Sequence, residues 1–168
     1  MIQLALESGG EFPQLNRRPF FLPPGHLIVS DTPMAVTTIL GSCVAVCLYD
    51  PIRGIGGMNH FMLPIQAPSH TASTRFGNVA MEVLVTRLVT GGAHRSSLLA
   101  EVFGGACMFT EMSESGLGDR HLGMRNIDVA VSHLDRLGIP ITRMDVAGTR
   151  GRKLIFHTDE GVEWLNLI

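Results

Sequence analysis

The chain has 168 residues, of which 45% are apolar and 17% charged, and its formal net charge is -2. A chain of this length suits one domain, which can bury about 70% of the surface that its unfolded form exposes. The small, mixed charge argues against nucleic-acid binding. A membrane span requires about 18 consecutive apolar residues, and no apolar run approaches this length. The start Met1–Glu7 lacks the basic region of a signal peptide. We therefore expect a cytoplasmic protein without direct membrane insertion.

The first 24 residues mix glycine, proline and polar residues and show no periodicity. We predict a partly ordered N-terminal tail over residues 1–24 and a single domain over residues 25–168. Turn residues then separate short apolar runs, which predict strands at 26–29, 35–40, 43–49 and 56–63. A loop rich in serine, threonine and proline is expected over 66–74.

Helical spacing of Met81, Leu84 and Leu88 predicts a first helix over 78–90. A strand over 97–109 follows, interrupted at Gly104-Gly105 by a bulge or a close backbone approach. A second helix is predicted over 127–137, with Asn126 as its N-cap. The last three predicted strands are 141–146, 154–158 and 162–167.

Two helices among many strands, without strict alternation, predict an α+β fold. The run Val44–Tyr49 is apolar on both faces, so the central antiparallel hairpin should be covered on both sides. We therefore expect a three-layer sandwich, with helices on one face of a sheet and further strands on the other.

The predicted hairpin carries one cysteine and one histidine. Its turn contains Asp50-Pro51-Ile52-Arg53-Gly54, and a turn centred on Pro51-Ile52 pairs Cys43 with His60. Directly opposed residues have Cβ atoms about 4.5 to 5.5 Å apart, which allows a thiol and an imidazole to form a hydrogen bond. The pattern therefore predicts a nucleophile and its base on one hairpin.

A cysteine attacks as the thiolate, and a neighbouring imidazole can take its proton and later return it to a leaving amine. The ring needs an orienting group, which either Thr37 or Thr38 could supply. Gly41-Ser42 immediately precedes Cys43, where a tight turn can direct backbone N–H groups at an oxyanion.

The same residues allow other interpretations. A buried cysteine is usually inert, and we expect Cys47 and Cys107 to be core residues. A zinc site built from Cys43, Cys47, His60 and Cys107 is a weaker alternative, because Cys-x-x-x-Cys on a strand is not a usual ligand spacing. We expect no metal and no cofactor. A thiol protease or acyltransferase would use the same pair of side chains.

Several motifs resemble the CheD family of chemoreceptor glutamine deamidases. The first is Leu40-Gly41-Ser42-Cys43-Val44-Ala45-Val46, with Thr37 six residues before the cysteine, and His60 precedes Met62-Leu63-Pro64. Further matches are Val102-Phe103-Gly104-Gly105-Ala106, Met108-Phe109, Gly123, Arg125-Asn126 and Gly151-Arg152-Lys153. The resemblance covers about residues 26–168.

The resemblance implies Cys43 as nucleophile, His60 as general base and acid, and Thr37, in place of Thr38, as the residue that orients His60. It also implies an α/β/β sandwich similar to the catalytic domain of cytotoxic necrotizing factor toxins. The implied reaction deamidates glutamine side chains through a thioester on Cys43 and releases ammonia. The substrate would be the cytoplasmic helical domain of chemotaxis receptors, with receptor methylesterase activity and a CheC-type phosphatase as further implied properties.

The main alternative is a non-catalytic module that binds a CheC-type phosphatase or receptor helices. Two positions depart from the family pattern, namely Glu101, where lysine is frequent, and Val146-Ala147-Gly148, where a double glycine is usual. We expect these departures to affect partner contacts or the binding face.

Overall fold

The computed structural model describes residues 17–68, 71–107 and 114–168. The described residues form two helices, nine strands and a short 3-10 turn at Arg95–Ser97. The strands are β1 (Arg18–Phe21), β2 (Leu27–Ser30), β3 (Met34–Leu40), β4 (Val44–Asp50), β5 (Ile55–Phe61), β6 (Leu99–Gly104), β7 (Ile141–Val146), β8 (Arg152–His157) and β9 (Gly161–Leu167). The helices are α1 (Gly77–Thr90) and α2 (Glu114–Leu137). None of the described helices is both long and apolar enough to cross a membrane.

The strand β4 lies at the centre of a five-stranded sheet with the order β2-β5-β4-β6-β7. All seven residues of β4 are buried, as its two apolar faces predicted. On one face, Val44, Val46 and Leu48 pack against residues of α1 and α2. This face of the sheet is therefore the one that the helices cover.

The other face of β4 packs against a second, four-stranded sheet with the order β1-β3-β8-β9. Ala45, Cys47 and Tyr49 belong to the same apolar cluster as Val36 and Phe156, which come from that second sheet. The predicted mixed α+β class is confirmed, with two sheets and two helices. Cys47 is fully buried, as expected.

The predicted register of the central hairpin is wrong by two residues. His60 lies opposite Ala45, and Asp50 lies opposite Ile55. The turn is longer than predicted because Gly54 adopts a φ of 66° and its N–H binds Asp50 O at 2.9 Å. A left-handed glycine at the end of a longer turn closes the hairpin in place of the tight two-residue turn.

Part of the predicted N-terminal tail belongs to the four-stranded sheet. Arg18–Phe21 pairs in parallel with β3, and Leu22 is 1% exposed in the cluster between the sheets. These residues thus pack as part of the domain, before the predicted boundary at residue 25. Residues 1–16 of the tail lie outside the described residues.

The second helix begins at Glu114 rather than at residue 127. Asn126 is therefore inside α2 and fully buried, and the prediction that it caps the helix is wrong. A Cβ at Gly123 would lie 2.5 Å from Gly105 O. Glycine at this position lets α2 approach the chain that follows β6, a tertiary effect that outweighs the low helix propensity of glycine.

The strand β6 is shorter than predicted, because Gly104 and Gly105 have φ angles of 107° and 68° and end it. A Cβ at Gly104 would collide with Cys43 O, so the close backbone approach is confirmed. Cys107 is half-buried beyond the strand and is not the core residue that we expected. Met108 and Phe109 of this prediction lie outside the described residues.

Glu101 is an internal residue rather than part of a partner-binding surface. Its side chain is 7% exposed, and Oε2 accepts a hydrogen bond from Val162 N at 2.7 Å. Burial raises the pKa of the carboxyl group, and this effect is opposed by that hydrogen bond and by Arg143. Glu101 thus connects β6 to β9 across the two sheets, and its effect on partner contacts stays a prediction.

Candidate active site

The segment Gly41-Ser42-Cys43 connects β3 in one sheet with β4 in the other. Because side chains alternate along a strand, Cys43 shares the face of Ala45 and Cys47, which points into the space between the sheets. Cys43 is half-buried, whereas Cys47 is fully buried. Cys43 is therefore the more accessible of the two thiols on this face.

His60 lies on β5, on the same face as Cys43. It pairs with Ala45, so Cys43 is its diagonal neighbour rather than its direct partner. Diagonal neighbours have Cα atoms about 7 to 8 Å apart and remain within reach of long or aromatic side chains. The structure thus places the predicted nucleophile and base on one face of one hairpin, but in a different register.

Thr38, on β3 of the four-stranded sheet, contacts His60 across the gap between the sheets. Thr38 Oγ1 lies 2.8 Å from His60 Nδ1 and 2.9 Å from Leu22 O. A carbonyl can only accept, so the hydroxyl donates to Leu22 O and accepts from Nδ1–H. The proton of neutral His60 therefore sits on Nδ1, and Nε2 carries a lone pair.

The lone pair on Nε2 is the free proton-accepting position of this network. Within the described part of the chain, His60 Nε2 is buried and has no hydrogen-bond partner. An unpaired buried nitrogen of this kind costs about 1 to 3 kcal/mol, which favours a functional reason for its retention. A neutral imidazole nitrogen of this kind has the chemistry that general-base catalysis requires.

Thr37 does not contact His60 in this arrangement. Met34, Val36, Thr38 and Leu40 of β3 face the space between the sheets, and the half-buried Thr37 alternates with them on the other face. Strand geometry therefore assigns the contact with His60 to Thr38. The expected contact of Thr37 with His60 is corrected accordingly.

Both side chains of the proposed pair are neutral at neutral pH in this environment. Burial lowers the pKa of His60 to about 4, and the Leu22 carbonyl partly opposes this effect. Burial raises the pKa of the Cys43 thiol above its ordinary value of 9.0, with a partly opposing backbone hydrogen bond. Burial therefore favours a neutral thiol and a neutral imidazole over a preformed thiolate–imidazolium pair.

Three successive carbonyl groups around the cysteine accept hydrogen bonds from the body of the domain. Ala106 N binds Gly41 O at 2.9 Å, and Gly105 N binds Cys43 O at 2.8 Å. Between them, Ser42 O accepts a hydrogen bond of 3.0 Å from Nδ2 of Asn126. The peptide groups on either side of Ser42 are therefore fixed in orientation.

Sequence reasoning missed the parts that Leu22 and Asn126 play here. Leu22 acts through its main-chain carbonyl, which no sequence motif reports. Asn126 lies within the Arg125-Asn126 motif, but its position in front of an amphipathic stretch predicts an N-cap.

An open cleft of about 280 Å³ lies next to the chain that follows β6. Gly105, which donates its N–H to Cys43 O, is among its lining residues. The other residues that line the cleft are Cys107, Met124, Ala147, Gly148 and Thr149. Ala147 has a φ of 62° and is followed by Gly148 at 73°, a conformation that explains why a double glycine suits this position.

Sequence comparison identifies the family. A family model described as CheD chemotactic sensory transduction matches residues 62–166. The chain belongs to the CheD family. A probable chemoreceptor glutamine deamidase CheD 1 from Anaeromyxobacter dehalogenans (strain 2CP-C) is 46% identical over 162 residues, which cover 96% of this chain and 92% of that protein. A probable chemoreceptor glutamine deamidase CheD from Trichlorobacter lovleyi is 41% identical, covering 86% of this chain and 88% of that protein.

Among solved structures, YlmD from Geobacillus stearothermophilus resembles this CheD family member in fold. The TM-score is 0.50 at 13% sequence identity, and the match covers 86% of this chain and 71% of that chain. At this low identity the similarity concerns the fold alone.

Proposed function

We propose that this protein is a chemoreceptor glutamine deamidase that converts glutamine side chains of a receptor's cytoplasmic helical domain to glutamate. The observation that carries the proposal is the Leu22–Thr38–His60 chain of hydrogen bonds, which leaves a lone pair on Nε2 of a histidine that shares its strand face with Cys43. Membership of the CheD family and the names of the relatives support the same reaction.

In the first half of the reaction, Cys43 Sγ attacks the side-chain amide carbon while His60 Nε2 takes the thiol proton. The N–H groups of Ser42 and Cys43 stabilise the negative charge on the amide oxygen. His60 then protonates the departing nitrogen, so that the C–N bond breaks and ammonia leaves. The product of this half is a thioester between the glutamine-derived acyl group and Cys43.

In the second half, a water molecule attacks the thioester, and His60 Nε2 takes a proton from that water. The C–S bond then breaks, the thiol regains its proton, and glutamate is released. Thr38 holds the imidazole in the tautomer that both halves require. The net change is one amide plus one water giving one carboxylic acid plus one ammonia.

The finer architectural prediction belongs to the same proposal. We infer that the helical layer, the five-stranded sheet and the four-stranded sheet correspond to the α/β/β sandwich implied by the family resemblance. The clusters on the two faces of β4 support this interpretation.

The proposal also covers the location of the protein, a second substrate class and a partner protein. The substrate places the enzyme in the cytoplasm, beside the receptor's cytoplasmic helical domain. A receptor methylester would give the same thioester with methanol as the leaving group, which makes it a second substrate class. Association with a CheC-type phosphatase stays a prediction, and co-elution of the two purified proteins would test it.

The direct test compares the wild-type protein with Cys43→Ala and His60→Ala on a cognate receptor cytoplasmic domain. We expect ammonia release from the wild type and a mass increase of about one dalton per modified glutamine, with both lost in the variants. Cys47→Ala is the matched control, because Cys47 lies on the same strand face without a place in the proposed reaction.

Ammonia release by Cys43→Ala at the wild-type rate would contradict the proposal. A cleaved receptor backbone would instead indicate a thiol protease, and an added acyl group would indicate an acyltransferase. Binding to the receptor domain without any mass change would favour the non-catalytic alternative.

A further inference from the structure

Asn126 joins the two chain segments that carry Cys43 and His60. Its Nδ2 donates to Ser42 O at 3.0 Å and to Met62 O at 3.0 Å. Ser42 directly precedes Cys43, and Met62 follows His60 by two residues. One side-chain nitrogen, held on α2, thus binds the chain just before β4 and just after β5, at the open end of the hairpin.

The contact with Ser42 also fixes the direction of a neighbouring N–H group. The C=O of Ser42 and the N–H of Cys43 belong to the same peptide group, and in a trans peptide these bonds point in opposite directions. The described chain contains no cis peptide bond. When Asn126 holds Ser42 O, the Cys43 N–H must therefore point away from α2.

The hydrogen bonding of Asn126 is better suited to positioning than to stability. The residue is fully buried, and both protons of Nδ2 have main-chain acceptors. Its Oδ1 has no hydrogen-bond partner among the residues that the structure describes. An unpaired buried oxygen carries a desolvation cost, which offsets much of what the two hydrogen bonds contribute to stability.

We propose that Asn126 is a positioning residue that fixes the Ser42–Cys43 peptide group and aligns the Cys43 N–H with the oxyanion of the reaction. This inference rests on the proposed function for the identity of the oxyanion. The position of the Ser42–Cys43 peptide group is independent of the proposed function, so the two parts of the inference can be tested separately.

The test uses Asn126→Ala in the full chain, with Leu134→Val as the matched control. Leu134 is a fully buried residue of the same helix, about 12 Å along its axis from Asn126. If Asn126→Ala does not fold, Asn126→Ser replaces it, because one hydroxyl proton can serve only one of the two carbonyls.

The structural measurement is the NMR amide shift of Cys43 and of Leu63, the residues whose N–H groups share peptide groups with the two bound carbonyls. We expect both shifts to move in the Asn126 variants and to stay in place in Leu134→Val. Unmoved shifts at Cys43 and Leu63 would overturn the positioning role, whatever the activity.

The kinetic measurement separates oxyanion alignment from general damage. We expect kcat for ammonia release to fall about 10- to 100-fold with KM changed less than about threefold, since the loss concerns the transition state. Alkylation of Cys43 by iodoacetamide, which forms no oxyanion, should change less than about threefold. If the rate of Cys43 alkylation and kcat fall by the same factor, Asn126 does not act by aligning the Cys43 N–H with the oxyanion.

These outcomes distinguish the two levels of the proposal. If the amide shifts move as expected but the wild type releases no ammonia, the proposed function fails and the positioning of the Cys43 peptide group stands. If the wild type is active and Asn126→Ala retains full kcat, the alignment of the Cys43 N–H with the oxyanion fails and the deamidase proposal stands.

Discussion

Thr38 Oγ1 accepts a hydrogen bond from His60 Nδ1 at 2.8 Å, although the two residues lie in different sheets. The same hydroxyl donates to Leu22 O at 2.9 Å. The contact between the two sheets therefore selects the tautomer of the proposed base. This relationship gives Leu22, which directly follows β1, an influence on the tautomer of His60, although the Leu22 carbonyl binds the Thr38 hydroxyl and not Nε2.

Replacing Thr38 by valine should lower kcat because it removes the acceptor for His60 Nδ1–H and retains the side-chain volume. The loss of one buried hydrogen bond, worth about 1 to 3 kcal/mol, corresponds to a fall of about 5- to 160-fold. Steady-state ammonia release from a receptor cytoplasmic domain measures it. Thr38→Ser should restore most of the rate.

Thr37→Val is the matched control, one residue away on the other face of β3. We expect its kcat to stay within about twofold of the wild type, because its side chain points away from His60. A large loss in Thr37→Val combined with normal activity in Thr38→Val would support the assignment implied by the family resemblance and refute the one drawn from the structure.

The sequence contained a usable signal for this assignment. Met34, Val36 and Leu40 alternate as apolar residues along β3, and a strand of period two places Thr38 on their face. Gly54 is a weaker indication of the hairpin register, because glycine readily adopts the positive φ that the longer turn requires. The predicted register differs from the observed one by two residues. Because this number is even, Cys43 and His60 still lie on the same face of the hairpin.

Other parts of the site were beyond prediction from one sequence. The acceptor that fixes Thr38 is the main-chain carbonyl of Leu22, which leaves no mark on residue types. The glycines of α2 have a low helix propensity, so the sequence did not predict its full length. One of them allows the helix to lie close to Gly105. Such tertiary contacts override local propensity.

The pH dependence should reveal a neutral resting pair. His60 must be uncharged to accept a proton, and its pKa of about 4 means that kcat/KM falls only when the pH drops towards 4, not near 6.5. The raised pKa of Cys43 means that the thiolate absorbance, measured against Cys43→Ala, should appear only above pH 9.0. A pH-rate profile and ultraviolet titration of the free protein check these two expectations.

A preformed ion pair would behave differently in both measurements. Its thiolate absorbance would already be present at neutral pH and would vanish on acidification. Its rate would also decline on the alkaline side as the imidazolium lost its proton. Either result would contradict the neutral pair inferred from burial.

A chain shortened to residues 25–168 should lose activity relative to one that spans 17–168. The longer form keeps β1 and the buried Leu22, whereas the shorter form removes the acceptor of the Thr38 hydroxyl. The hydroxyl would then be free to donate to Nδ1, which permits the tautomer without a lone pair on Nε2. Ammonia release from both forms, with circular dichroism to compare folding, measures the difference.

The outcome of that comparison also tests the domain boundary. Equal kcat in the two forms would support the boundary predicted at residue 25 and would show that Leu22 O is dispensable. A loss of kcat in a still folded 25–168 form would extend the domain to include β1.

Gly104→Ala should destabilise the protein and reduce its activity together, because the new Cβ would collide with Cys43 O at a residue whose φ is 107°. We expect the free energy of unfolding to fall by about 3 kcal/mol, the combined cost of backbone strain and overpacking.

The matched control is Gly138→Ala, since Gly138 has a φ of 69° but open space around its Cβ position. That variant should lose only about 1 kcal/mol, the cost of the left-handed conformation alone, and should keep its kcat. Urea unfolding and ammonia release measure both quantities, and equal losses of stability in the two variants would show that the close approach to Cys43 does not constrain residue 104.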